Sequence, residues 1–145
     1  MFKKIIVAFD GSRCAGTALD KAIELARLTA ASLSILTVYR HHGALEATMW
    51  VDSRDFAISP DNETKAAARK VAEAAKARAL DAGVADVHAY IRPGNPARTI
   101  VAESKTQGAD LIVIGSRGLG SAERFLLGSV SHKVTGLAEC PVLVV

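Results

Sequence analysis

Four consecutive aliphatic residues, Leu111-Ile112-Val113-Ile114, run without a polar interruption into Gly115. A strand of that composition has no face it can turn to water, so it must lie inside a sheet covered on both sides. The rest of the chain supplies the cover by alternation. Lys4 to Phe9 reads as a first strand. After the exit Asp10-Gly11-Ser12, residues Ala15, Ala18, Ala22, Leu25 and Ala26 recur at helical spacing up to about Ala30. Ser32 to Tyr39 is a second strand. Asp61 to Ala82 is a long helix with nine alanines between Thr64 and Ala82, small enough to lie close on a sheet, and Gly83 marks its end. Asp86 to Ile91 makes the third strand. Asn95 and Pro96 fit an N-cap and first helical position, and Ile100, Val101 and Ser104 set the inner face of a helix ending near Gly108. Leu111 to Ile114 is the fourth strand. A last helix, Val130 to Ala138 with Ser129 as its N-cap, is closed by Cys140-Pro141, and Val142 to Val145 forms a terminal strand.

Strands alternating with helices indicate an α/β fold: one open, five-stranded parallel sheet with helices on both faces and right-handed crossovers. At 145 residues the chain fits a single domain spanning 1–145, able to bury roughly 68–70 % of its unfolded surface. With only 5 % aromatic residues the core must be aliphatic. Arg40 to Pro60 shows no period, and a loop of that length inside a compact domain is uncommon unless it has a function.

Charge and cysteine content remove several classes. The net charge is +3, but in Asp61 to Asp81 the basic residues Lys65, Arg69, Lys70, Lys76 and Arg78 are interleaved with Glu63 and Glu73, which describes a solvated helix face. Nucleic-acid binding would require a one-sided basic stripe with aromatic platforms, and one Trp and two Tyr provide little to stack on. Met1-Phe2-Lys3-Lys4 starts like a signal sequence, but the apolar run after it stops at Asp10, and no segment approaches membrane-spanning length. A cytoplasmic protein with no membrane partner is expected. Cys14 and Cys140 have no metal-ligand or redox spacing and are expected as reduced thiols. His41-His42, His88 and His132 form no ligand set, and no nucleophile, base and orienting acid can be assembled. Trp50 with Met49 packs the irregular loop or covers a ligand.

The chemistry concentrates after the fourth strand. Gly115 and Gly118 lack side chains where a ligand needs close backbone approach, and Gly128-Ser129 opens the last helix. A helix start attracts anions, so the two clusters of N–H groups, brought together by the nine residues between them, can enclose a polyphosphate. The same glycines also suit simple turns. No loop here ends in Gly-Lys-Ser or Gly-Lys-Thr, and Glu123 stands where a dinucleotide fingerprint needs its third glycine. Arg117, Arg124 and Lys133 could supply positive charge, although residues of this kind more often serve only as surface groups. Asp10 would repel phosphates, so its useful place is at a sugar, accepting from ribose hydroxyls, while capping the first helix or turn is its other reading.

The pattern Gly115-x2-Gly118-x9-Gly128-Ser129 resembles, without a gap, the nucleotide-binding signature of the ATP-binding branch of the universal stress protein family. The ends resemble it too, in Ile5-Ile6-Val7-Ala8-Phe9-Asp10-Gly11-Ser12 and in Gly128-Ser129-Val130-Ser131 running to Cys140-Pro141-Val142-Leu143-Val144-Val145, so the resemblance covers the whole chain. It implies strand order 3-2-1-4-5 in a Rossmann-like, adenine nucleotide α-hydrolase-like sheet. It implies that Asp10 is the acidic nucleotide contact, that the Val38 backbone meets adenine, and that Ala8 and Phe9 lie along the base. Ile114, Gly115, Arg117, Gly118, Gly128, Ser129 and Val130 then match the ribose and phosphate loop.

In function, the resemblance implies an ATP-binding regulatory module of the stress response, with slow hydrolysis or phosphoryl transfer as a timer and an unidentified regulatory protein as partner. Magnesium would travel on the phosphates, with Ser129 as a candidate contact. The apolar strand Val142 to Val145 would lie at a sheet edge, a hazard that pairing with a second copy resolves, so a homodimer through this strand is expected. Two alternatives stand beside it. One is a nucleotide-free dimeric interaction module. The other is an adenylating enzyme, against which the turn Asp10-Gly11-Ser12 lacks the Ser-Gly-Gly-x-Asp-Ser loop of ATP pyrophosphatases.

Overall fold

Successive residues of a strand face opposite sides of a sheet, so an unbroken aliphatic run needs two separate sets of partners. The computed structural model, which describes residues 1–40, 60–118 and 127–145, provides both. Its elements are β1 (Lys4–Ala8), α1 (Arg13–Thr29), β2 (Ser32–Tyr39), α2 (Pro60–Asp81), β3 (Val87–Pro93), α3 (Pro96–Gln107), β4 (Leu111–Ile114), α4 (Ser129–Leu137) and β5 (Val142–Val144). The strands form one parallel sheet in the order β3-β2-β1-β4-β5, as the resemblance implies.

On one face, Ile5 and Val7 of β1, Leu33 and Ile35 of β2, and Leu111 and Val113 of β4 pack against Ala18, Leu19 and Ala22 of α1 and Ala75 and Ala79 of α2. On the other, Ile6, Leu36, Ile112 and Ile114 meet Ala97, Ile100 and Val101 of α3 and Val134 of α4. In register, Val7 lies opposite Ile35 on one side and Val113 on the other. The alanine stripe Ala68, Ala72, Ala75 and Ala79 is the buried side of α2, so the long helix rests on the sheet through methyl groups.

The chain steps outward from β1 to β2 and β3, then crosses back beside β1 to place β4 and β5. Because α1 and α2 serve the outward steps and α3 and α4 the return, right-handed crossovers put the two pairs on opposite faces. The reversal falls between β1 and β4. A crevice opens there beyond the carboxyl ends of the two strands.

The helix ends reflect local chemistry. Ser12 caps α1 by accepting the Ala15 N–H at 3.2 Å, and Asn95 caps α3 by accepting that of Arg98 at 3.2 Å, with Pro96 as first helical residue. Gly83, at φ 95°, ends α2, with the Val84 N–H reaching back to the Ala79 carbonyl at 3.1 Å. The cap expected from Ser129 is not made. Gly128 occupies the N-cap position of α4 with no side-chain hydrogen bond, and Ser129 is already helical. A side chain inside the first turn has its own backbone committed to the helix, so it does not fill the half-extended cap position.

Small differences in strand length track the hydrogen bonds: β1 ends at Ala8, although the Phe9 N–H still reaches Leu36 O at 2.9 Å. The expectations for the irregular loop, including His41, His42, Met49 and Trp50, lie outside the described residues. No helix among those residues is long and apolar enough to cross a membrane.

Helix α1 ends on Ala30 in the left-handed region, φ 55° and ψ 33°, where glycine is the usual occupant. An L side chain there costs roughly 1–2 kcal/mol, partly offset for glycine by greater freedom in the unfolded chain. Ala30→Gly should therefore stabilise the protein by about 0.5–1 kcal/mol, read as a rise in thermal or denaturant midpoint.

Candidate functional site

The crevice between β1 and β4 is a cleft of about 690 Å³, within the range of roughly 300–1,000 Å³ usual for small-molecule sites. One part of its wall is apolar: Ala8 and Phe9 at the end of β1, Leu36 and Val38 of β2, and Pro96 and Ile100 of α3. The other is polar and rich in main chain: Asp10 and Ser12 before α1, Gly115, Arg117 and Gly118 after β4, and Gly128 to Ser131 at the start of α4. All eleven residues singled out in the sequence (Ala8, Phe9, Asp10, Val38, Ile114, Gly115, Arg117, Gly118, Gly128, Ser129 and Val130) border this one cleft.

Residues that sequence pattern did not place here include Leu36, Arg40, Pro96, Ile100 and Ser131. Leu36 shares a strand face with Val38, and the helical spacing of Ile100 marks it as core without pointing to the cleft. Ser131 falls inside the matched run Gly128-Ser129-Val130-Ser131, but its residue type gives no sign of a role, since a serine inside a helix reads as neutral.

The apolar end has exposed main-chain groups because the strands stop at different heights. Alternate residues of β2 direct their N–H and C=O toward β1. Ser32 N–H bonds to Lys3 O and Leu36 O accepts from Phe9 N–H, both at 2.9 Å. Pairing with β1 ends with Ala8 opposite Leu36. Two residues on, the main chain of Val38 faces the same way, past the end of β1 and into the cleft.

Asp10 is exposed, and its Oδ1 accepts the Ser12 N–H at 2.8 Å. Ser12, not Asp10, caps α1. The carboxylate thus fixes the turn with one oxygen, while Oδ2 lies beside Gly118, where a Cβ would stand 3.1 Å from it. Gly118 leaves that carboxylate open to the cleft.

The other two glycines also meet close contacts within the fold. At Gly115, which also borders the cleft, a Cβ would lie 2.7 Å from the carbonyl carbon of Cys14, a separation no side chain tolerates, so this glycine admits the first turn of α1. At Gly128 a Cβ would lie 3.2 Å from Ser116 O. Ser116 joins the pieces: its N–H donates to Val145 O at 2.7 Å, and its carbonyl accepts the Gly128 N–H at 2.7 Å.

The first bond inside α4 runs from the His132 N–H to Gly128 O at 3.0 Å. The N–H groups of Ser129, Val130 and Ser131 precede it and have no place in the helical ladder. With no side-chain cap, they remain available to an anion at the positive end of the helix dipole.

Among the described residues no group of three or more His, Cys, Asp and Glu could hold a metal ion. His88 pairs with Asp86 at 2.8 Å, and His132 and Lys133 are exposed on α4. Arg124 and most of the nine-residue connection lie outside the described residues. Both cysteines are free, and burial pushes the Cys140 thiol above its ordinary pKa, with Asp110 adding to the shift.

The profile of the universal stress protein family matches residues 1–145. Universal stress protein YxiE of Bacillus subtilis is 42 % identical over 149 residues, an alignment that spans 100 % of this chain and 99 % of that protein. Universal stress protein UspA from Lactobacillus plantarum has the same fold, with a TM-score of 0.83 at 24 % identity over 99 % of this chain and 97 % of its own. A universal stress protein crystallised in complex with cAMP aligns with a TM-score of 0.74 at 29 % identity, again over 99 % and 97 %.

Since the Gly115 contact is with backbone, relief requires movement of a whole helix turn. Gly115→Ala should destabilise the protein by about 1–3 kcal/mol, seen as a lower unfolding midpoint. Gly118→Ala, which meets only the end of an exposed carboxylate, should leave that midpoint nearly unchanged.

Proposed function

The chain belongs to the universal stress protein family, and on that premise we propose that its cleft binds an adenine nucleotide, ATP with magnesium on the phosphates, and that the protein is a nucleotide-dependent regulatory module of the family's ATP-binding branch. The observation that carries this reading is the coexistence, in one cleft, of an apolar wall with open strand edge, an exposed carboxylate, and a helix N-terminus without a side-chain cap. Each fits one part of a nucleotide. The neighbour bound to cAMP, at 29 % identity, supports an adenine nucleotide as the ligand class.

The base lies against Ala8, Phe9 and Leu36, with the Val38 main chain offering a donor and an acceptor to its edge. Asp10 accepts from the ribose hydroxyls, close enough to help only because Gly118 carries no side chain between them. The N–H groups of Ser129, Val130 and Ser131 take the phosphates. Magnesium needs few protein ligands when phosphate oxygens and water complete its shell, which suits a cleft where, among the described residues, Asp10 is the one bordering carboxylate. When bound, the ion neutralises phosphate charge. The chain's part is to hold the base and sugar and to present N–H groups.

The edge strand β5 is the assembly surface in this reading. It pairs with β4, and Val142, Leu143 and Val144 are only half-buried. Pairing with a second copy covers them and makes a homodimer, and cleft occupancy is the state a regulatory partner reads.

Denaturing freshly purified protein and identifying the released nucleotide by chromatography, then titrating the emptied protein calorimetrically with ATP and magnesium, tests the reading. Recovered or tightly bound ATP is the expected result, and absence of binding by any adenine nucleotide overturns it. Asp10→Asn keeps an oxygen for the Ser12 N–H but loses the charge. It should weaken ATP binding about tenfold and shrink the preference for ATP over its 2′,3′-dideoxy analogue, both measured by titration.

A further inference from the structure

Ser131 is 2 % exposed, a hydroxyl enclosed in the first turn of α4. Its Oγ lies 3.0 Å from Ser116 O and 3.0 Å from Gly128 O. A hydroxyl carries one proton, which goes to one of these carbonyls or is shared between them. Neither carbonyl depends on it. Ser116 O already accepts the Gly128 N–H at 2.7 Å, and Gly128 O already accepts the His132 N–H at 3.0 Å. Replacing the hydroxyl by hydrogen, as in Ser131→Ala, therefore leaves no buried carbonyl without a donor, and the fold loses little.

What the hydroxyl adds, beside the Gly128 N–H to Ser116 O bond, is a second link between the same two segments, set one helical turn further into α4. Ser116 belongs to the loop leaving β4 and is tied through its own N–H to Val145 beside β5. Ser131 belongs to the helix whose leading N–H groups border the cleft. We propose that Ser131 is a positioning residue for anion binding: its hydroxyl holds the N-terminus of α4 at a fixed angle to the Ser116–Gly118 loop, so that the free N–H groups converge on the phosphates. Hydrogen bonds weaken steeply as the donor angle falls below about 120°, so a small rotation of this turn costs several contacts at once. The inference rests on the nucleotide reading and adds to it the residue that sets phosphate geometry without touching the base or the sugar.

The test is Ser131→Ala, with ATP and adenosine affinities measured by competition against a labelled ATP analogue and the fold monitored by thermal unfolding. ATP affinity should fall about tenfold, while adenosine, which has base and ribose but no phosphate, should change less than about twofold. The unfolding midpoint should stay close to that of the parent protein. If the parent protein binds no nucleotide, the nucleotide reading itself fails before the variant is considered. If the parent binds ATP and the variant loses both ligands equally, loses neither, or does not fold, Ser131 is not a positioning residue and the inference is overturned.

Discussion

Where β4 ends, the main chain at Gly115 passes so close to α1 that a Cβ would stand 2.7 Å from the Cys14 carbonyl carbon. The cleft depends on this contact. Parallel pairing of Val7 with Val113 holds the exits of β1 and β4 at one height, and the close approach at Gly115 lets the β4 exit lie against α1, so that Asp10, leading into α1, and Gly118, three residues beyond Gly115, end as neighbours. From there Ser116 is held by Val145 on one side and by Gly128 and Ser131 on the other. The start of α4 is thereby brought over the carboxyl end of the sheet. Residues from both ends of the chain meet because the middle strands are adjacent.

A rigid sheet makes that geometry dependable. β1 and β4 are buried on both faces, and the helices that cover them do so largely through alanine, leucine, isoleucine and valine. Close-packed aliphatic layers leave little room for a strand to shift without opening a void. The polar groups in the crevice are accordingly placed by strands, turns and helix starts, and among the described residues no buried side-chain polar atom lacks a hydrogen-bond partner.

Electrostatics divides the cleft. The carboxylate of Asp10 would repel phosphate, whereas the leading N–H groups of α4 attract it. A ligand with a neutral hydroxyl-bearing portion and an anionic tail satisfies both, and the apolar wall beyond adds a place for a flat ring. An uncapped helix start is a cost to the helix alone, since a side-chain cap is worth about 1 kcal/mol. At this position it keeps the donors free.

Much was legible where a residue's chemistry and its structural role are local. The unbroken run Leu111–Ile114 demanded a sheet covered on both faces, and Asn95-Pro96, Gly83 and Gly108 marked helix ends that lie where their side chains and φ values suit them. The end of α1 at Ala30 had no such signal, because an alanine in the left-handed region is held there by the fold and not by its own preference. The eleven residues of the glycine pattern and strand exits were recognisable as a group from their spacing and the family resemblance. Why each is needed was not. Gly115 is answered by Cys14, Gly128 by Ser116, and Gly118 by Asp10, partners supplied by chain crossing rather than by sequence neighbours. Ser129 carried the letter of a helix cap, but Gly128 takes that place and Ser131 makes the buried link. The sequence by itself determined the alternation of elements, the double-sided burial of the central strands and the local helix stops, since these depend on residues a few positions apart. Only the tertiary structure decided which glycine admits a helix and which leaves a carboxylate open, because that depends on contacts between segments that parallel pairing brings together.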